Sequence, residues 1–209
     1  MAVARQWNRN WVLMTEEEAW NTADVNDLWI LDKLILSKRL GYTCGPTGTS
    51  VPAPGMYIVR PCVNAFGLGL ETQLVHIENT TDHLPVGHFW CEVFYGRHLS
   101  IDYHLGLQVL CVEGFKDDNT FTHWNRWIRT KDYVTRPDII VPFLQKYKWV
   151  NCEFIGDKLI EIHFRPNLDF TKDRTEFIPV WEGDETTPPV GYEYINYPDV
   201  HGRIGAFVK

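Results

Sequence analysis

From Met56 onward the apolar residues arrive in strand-length bursts: MYIV (56 to 59), QLVHI (73 to 77), HFWCEVF (88 to 94), HLSIDYH (98 to 104) and LQVLCV (107 to 112). Runs this short, rich in β-branched and aromatic residues, specify strands rather than helices. The links Tyr95-Gly96-Arg97 and His104-Leu105-Gly106 are too short for a crossover, so consecutive strands lie side by side and antiparallel. A later stretch, WVNCEFIGDKLIEIHF (149 to 164), reads as one more hairpin turning at Gly156-Asp157.

Helical patterns flank the strands. In TEEEAW (15 to 20), Thr15 stands three positions before Glu18, a capping box that starts a short helix. In DVNDLWILDKLILSKRLGY (24 to 42), Leu28, Leu31, Ile35 and Leu36 fall near helical spacing and Gly41 supplies a stop. Pro137 can open a helix to about Tyr147 with Ile139, Ile140, Phe143 and Leu144 inward. The order helix, strands, helix, hairpin is α+β rather than alternating βαβ. The segment TCGPTGTSVPAPG (43 to 55) reads as loop, and the proline-rich tail from Arg165 as a wrap on the surface.

Composition narrows the function classes. The 209 residues are 44% hydrophobic, enough to bury a substantial core in one domain or one domain with an appendage. A net charge of -7 with no basic run lacks the electrostatic footprint of a duplex nucleic-acid binder. No stretch of 18 apolar residues and no signal-peptide pattern occur, so the expectation is a cytoplasmic protein with no membrane partner. The five cysteines are scattered and odd in number, which disfavours a disulfide framework and a zinc ribbon.

Four patches carry candidate chemistry. Arg60 ends a strand in IVRPCVNAFGLG, and Asn64, Gly67 and Gly69 follow in a loop open enough for backbone N–H groups to approach a phosphate. Lys33 offers a second cation. The stretch HFWCEVFYGRHLSIDYH holds Glu92, Val93 and Phe94, whose backbone could meet a purine, with His98 and Asp102 on the next strand. In the last hairpin a two-residue turn would set Glu153 opposite Ile160 and Glu161 opposite Cys152, leaving the two carboxylates diagonal neighbours. Oxygen donors so placed suit a magnesium ion that also bridges phosphates. Taken singly, each patch also fits an ordinary turn, an exposed lysine, a half-buried hairpin or a water-facing acid pair.

In their order along the chain these patches resemble the ATP-grasp superfamily. The matching stretches are Asp32-Lys33, I-V-R-P (58 to 61), N-A-F-G-L-G (64 to 69), C-E-V-F (91 to 94), G-R-H-L-S-I-D (96 to 102), E-F (153 to 154) and E-I-H-F-R-P (161 to 166). The resemblance implies an α+β fold of antiparallel sheets with packed helices and a nucleotide site between two subdomains. It divides the chain into a short extension (1–27), an ATP-grasp-like domain (28–168, with a nucleotide-binding lobe 28–105 and a metal-binding lobe 106–168) and a C-terminal tail (169–209). It implies an ATP- and Mg2+-dependent ligase joining a small-molecule or peptide carboxylate to an amine or thiol through an acyl phosphate. By the same resemblance Lys33 and Arg60 hold the ATP phosphates under the loop with Gly67 and Gly69. Glu92, Val93 and Phe94 bind adenine, His98 takes the ribose position, and Glu153, Glu161 and His163 bind magnesium. Arg60 and Arg165 act at the transferring phosphate.

The sequence departs from the family pattern in three places. Arginine stands for lysine at 60, histidine for glutamate at 98 and histidine for asparagine at 163. Only about thirty residues precede Asp32, and family ligases carry a substrate domain there. These departures keep a second reading open, a degenerate ATP-grasp fold used as a non-catalytic binding or interaction module. A third, a histidine-based metal protein, is disfavoured because the eight histidines lack paired spacing. The tail, with WEGDE (181 to 185), reads either as a wall of the substrate pocket or as a homo-oligomer contact.

Overall fold

The structure is a computed structural model; it describes residues 14–63, 69–116, 121, 123–170, 173–200 and 202–209, with backbone only at 198–200. Helix α1 (Glu16–Thr22) begins with the reciprocal capping box between Thr15 and Glu18. The helical pattern beyond it is split in two. A 3-10 turn (Leu28–Leu31) ends at Asp32, whose carboxylate caps α2 (Lys33–Arg39) by accepting from the N–H groups of Leu34 and Ile35. That cap sets Lys33 at the first position of α2.

The strands follow as β1 (Cys44–Pro46), β2 (Gly55–Pro61), β3 (Gln73–Ile77), β4 (His88–Glu92), β5 (His98–His104), β6 (Leu107–Phe115) and β7 (Arg126–Arg129). Then come a 3-10 turn (Asp138–Ile140), α3 (Val141–Lys146), the hairpin of β8 (Trp149–Ile155) and β9 (Lys158–His163), and finally β10 (Glu176–Trp181), β11 (Glu193–Val200) and β12 (Arg203–Val208). They form two antiparallel sheets, one ordered β1-β4-β2-β3 and one ordered β11-β12-β10-β7-β6-β5-β8-β9. The change of sheet falls between β4 and β5, at Val93–Arg97, so β5 pairs with β6 and β8 within the larger sheet.

The C-terminal segment, read from its prolines as a surface wrap, instead supplies three strands of the larger sheet. Pro179 sits in β10, opposite Ala206, and Phe177 and Ala206 are fully buried in a small core with Leu110, Val112 and Phe170. The expected loop at 43 to 55 likewise contains β1, an edge strand too short to show a period.

Alternation along β5, β8 and β9 creates the main core and the site at once. Leu99, Ile101, Tyr103, Val150, Cys152, Phe154 and Ile162 pack under the helices against Leu31, Leu36, Ile140 and Phe143. The intervening residues therefore face the other way, toward the space between the sheets. None of the five cysteines is bridged. Among the described residues no helix is long and apolar enough to cross a membrane.

Candidate functional site

A cavity of about 1020 Å³ opens between the two sheets. Lys33 enters it from the start of α2, Arg60 from β2, Glu92, Val93 and Phe94 from the end of β4, and His98 from β5. Glu153 enters from β8, Glu161 and His163 from β9, Arg165 from just beyond β9, and Gly69 from the mouth. Every candidate residue named from sequence lines this one space except Asp102, which is buried away from it, and Gly67, which lies, with Asn64, outside the described residues.

The two acids are closer than a regular hairpin allows. The turn pairs Ile155 with Lys158 and Phe154 with Leu159, but a β-bulge then inserts Ile160, and Glu153 falls directly opposite Glu161 instead of diagonal to it. The inserted residue reverses the pleat. Without it Leu159 inward would put Glu161 inward too, two positions on, under the helices; with it Glu161 and His163 face the cavity while Ile162 stays in the core. The bulge also turns out the Ile160 carbonyl, which accepts from Arg60 Nη2 at 3.1 Å. Arg60 is thus tied to the same irregularity that aims Glu161.

The charges are heavily neutralised. Lys33 Nζ and His163 Nε2 both lie 3.1 Å from Glu161 Oε1. Burial alone would raise the Glu161 pKa, but Lys33, His163 and Arg60 outweigh it and hold the carboxylate well below its ordinary range. For Glu153 burial is again opposed, here chiefly by His98, whose Nε2 sits 3.2 Å from Oε2, and its pKa is also lowered. Both acids are therefore anions at neutral pH. Burial and Arg165 oppose protonation of His163, yet Glu16 and Glu161 on its two ring nitrogens raise its pKa to about 9. Arg60, only 8% exposed, keeps a buried Nε with no partner among the described residues. Burial pulls its pKa down, opposed first by Glu161.

This arrangement bears on the expected metal trio. Magnesium takes one or two carboxylates together with phosphate oxygens and water, and the facing pair Glu153 and Glu161 fits that donor set. His163 does not fit, because an imidazolium bonded at both nitrogens has no lone pair to give. Among the described residues no group of three histidine, cysteine, aspartate or glutamate side chains is arranged to hold a metal ion. His98 is held by Glu153 and packed edge-on by Trp124 and Trp127 at centroid distances of 4.5 and 5.4 Å. At the hinge the Glu92 N–H donates to the Thr43 carbonyl and its carboxylate accepts from the Thr43 N–H, so β1 fixes the course of the chain into Val93 and Phe94.

Glu16, another cavity residue, had no visible signal. Glu16 in α1 reaches His163 Nδ1 at 3.1 Å and pairs with Arg165 Nε. In sequence it was one acid of a helix start, and nothing there pointed 147 residues ahead. Behind Glu153 a buried network joins Ser100, Asp102, Asn151 and Asn167: Asn151 Nδ2 donates to Asp102 Oδ1 at 2.8 Å and to Ser100 Oγ at 2.9 Å, and the Asn167 N–H donates to Asp102. Burial raises the Asp102 pKa to about 6 in spite of these donors.

No family model matches the chain, and no curated protein matches it in sequence. Solved structures do match in shape. The carboxyaminoimidazole ribonucleotide synthase of Aspergillus clavatus, solved with ATP, superposes with a TM-score of 0.51 at 10% identity over 86% of this chain and 68% of its own. The L-amino acid ligase of Bacillus licheniformis matches at 0.46 and 10% identity over 86% and 66%. The ATP-grasp ligase PsnB, solved with a minimal precursor, matches at 0.43 and 12% identity over 66% and 52%. The chain thus spans about half the length of PsnB and two thirds of the other two. Its fold is α+β, with antiparallel sheets and few helices, and is shared with the first of these structures.

Proposed function

We propose that the cavity binds ATP with Mg2+ and that the protein is a cytoplasmic ligase, joining a small-molecule or peptide carboxylate to an amine or thiol through an acyl phosphate. One observation carries the reading: Lys33, Arg60 and Arg165, two facing carboxylates and the Glu92–Phe94 backbone, separated in sequence, line one cavity in an ATP-grasp fold. Polyphosphate binding needs fixed cations, and the buried Arg60 is oriented by Ile160 before any ligand arrives. A guanidinium can fork onto two phosphate oxygens where a lysine offers a point charge. Magnesium, when bound, would supply charge neutralisation at the phosphates. Glu153 and Glu161 would hold it, and His163, already paired with Glu161, would orient that carboxylate. Val93 and Phe94 offer backbone groups to the adenine edge. Arg165 adds positive charge beside His163, and ligation of this kind needs no side-chain nucleophile.

The second reading, a nucleotide-binding module without catalysis, is favoured by the internal pairing of Arg165 with Glu16 and of Lys33 with Glu161. Isothermal titration with ATP and Mg2+ tests the premise these two share, and no heat at millimolar ligand removes both and leaves only a structural or interaction module. ADP release on adding carboxylate and amine pools separates them. Turnover lost in Glu161→Ala supports the ligase, and biological activity retained in that variant supports the module.

A further inference from the structure

The cavity continues past the cations and acids along the larger sheet, and its far end has a different character. Glu161 stands on β9 and Arg203 on β12, six strand steps away in the order β9-β8-β5-β6-β7-β10-β12. Between them the lining turns aromatic, with Trp127 on β7 and Trp181 at the end of β10, and Phe170 and, on the edge strand β11 beyond Arg203, Tyr197 add to it. Such a wall accepts a flat or apolar body and discriminates little against its details.

Arg203 is the cation at that end. Its guanidinium lies 5.6 Å from the ring centre of Phe177 and 5.0 Å from that of Tyr197, so the rings fix its plane. Its side chain is 11% exposed and, among the described residues, makes one ion pair, Nη1 to Asp169 Oδ2 at 2.9 Å, and its buried Nε has no partner. A guanidinium that lines the cavity and is answered by one carboxylate can take a second planar anion at its exposed edge. Asp169 is fixed at its backbone, its N–H donating to Asn167 Oδ1 and its carbonyl accepting from Arg174 Nη1.

We infer that Arg203 and the aromatic wall form a recognition subsite for an elongated substrate with an apolar or aromatic middle and a carboxylate at the end remote from Glu153 and Glu161. The inference rests on the reading of Glu153 and Glu161 as the reacting end, but the subsite itself is testable without nucleotide. 3-Phenylpropionate serves as the probe, with 3-phenylpropanol and acetate as controls for charge and body. Titration followed by NMR should show millimolar or tighter binding of 3-phenylpropionate and much weaker binding of both controls. Arg203→Gln should weaken it by about tenfold to a hundredfold, the range of a lost charge-assisted pair. Asp169→Asn, which removes the competing anion, should tighten it. No binding of 3-phenylpropionate to the wild type overturns the inference. So does equal binding of the alcohol, or unchanged affinity in both variants. If Arg203→Gln fails to fold, the opposite sign expected for Asp169→Asn still decides. ATP affinity is titrated separately on the wild type; no ATP binding with phenylpropionate binding intact would sink the nucleotide reading and leave the subsite standing.

Discussion

Glu16 offers the sharpest test of how the cavity is held together. It sits in α1, yet its carboxylate bonds His163 and Arg165 and accepts from Trp20 Nε1 at 3.1 Å. Burial would raise its pKa, but His163 and Arg165 outweigh that and bring it from 4.5 to about 2. A change of that size corresponds to about 3 kcal/mol of folding free energy at neutral pH. With 22% of the side chain exposed, solvent screening lowers the figure to about 2 kcal/mol. Glu16→Gln should therefore be less stable than wild type by about 2 kcal/mol in urea unfolding at pH 7. The sign with pH follows from the lowered carboxyl. Its contribution is complete above the unfolded value of 4.5 and is lost as pH falls toward about 2, so the gap between wild type and variant should close over that interval. A gap at neutral pH below about 0.5 kcal/mol, the range of an inert surface change, would refute the clasp. A gap that does not narrow in acid would refute its electrostatic origin.

Deleting Ile160 removes the bulge and should turn Glu161 toward the helix-packed core, lowering Mg-ATP affinity by more than about tenfold because a buried carboxylate cannot stay charged there; unchanged affinity by titration would contradict the role given to the bulge. Gly96 has φ +129° and a Cβ there would lie 2.9 Å from the Gly156 Cα, where the chain passes between the sheets, so Gly96→Ala should cost about 1–3 kcal/mol in urea unfolding; wild-type stability would speak against a fixed crossing. The Asp102 pKa of about 6 means the folded state binds its proton more readily than the unfolded chain, so this group's contribution falls as pH rises from 3.8 through about 6. Asp102→Asn should remove that slope from thermal melts, and a persistent slope would assign it elsewhere.

The central strands and the grouping of the site were legible because each depended on local chemistry. The bursts from Met56 to Val112 gave β2 to β6, the Thr15 and Glu18 pattern gave the start of α1, and the ordered stretches from Asp32 to Pro166 named residues that line one cavity. What escaped was non-local. The strand β10 contains Pro179 and finds its partners only through β7 and β12, so its own composition argued for a loop. The bulge at Ile160 left no local mark, since a plain two-residue turn at Gly156-Asp157 accounts equally well for the residues around it. Glu16 and Arg203 belong to the cavity only because the chain ends fold back across it, one through α1 and the other as part of the larger sheet. The lobe boundary expected near residue 105 cuts the β5–β6 hairpin, which spacing alone could not assign to one sheet or the other.

The most direct measurement is the magnesium dependence of nucleotide binding, by titrating a non-hydrolysable ATP analogue into wild type and into Glu153→Gln/Glu161→Gln with and without Mg2+. We expect wild type to bind more tightly with the metal present, and the double variant to bind with an affinity indifferent to it. Equal affinities in all four titrations, or no binding in any, would contradict an ATP site built on these two carboxylates.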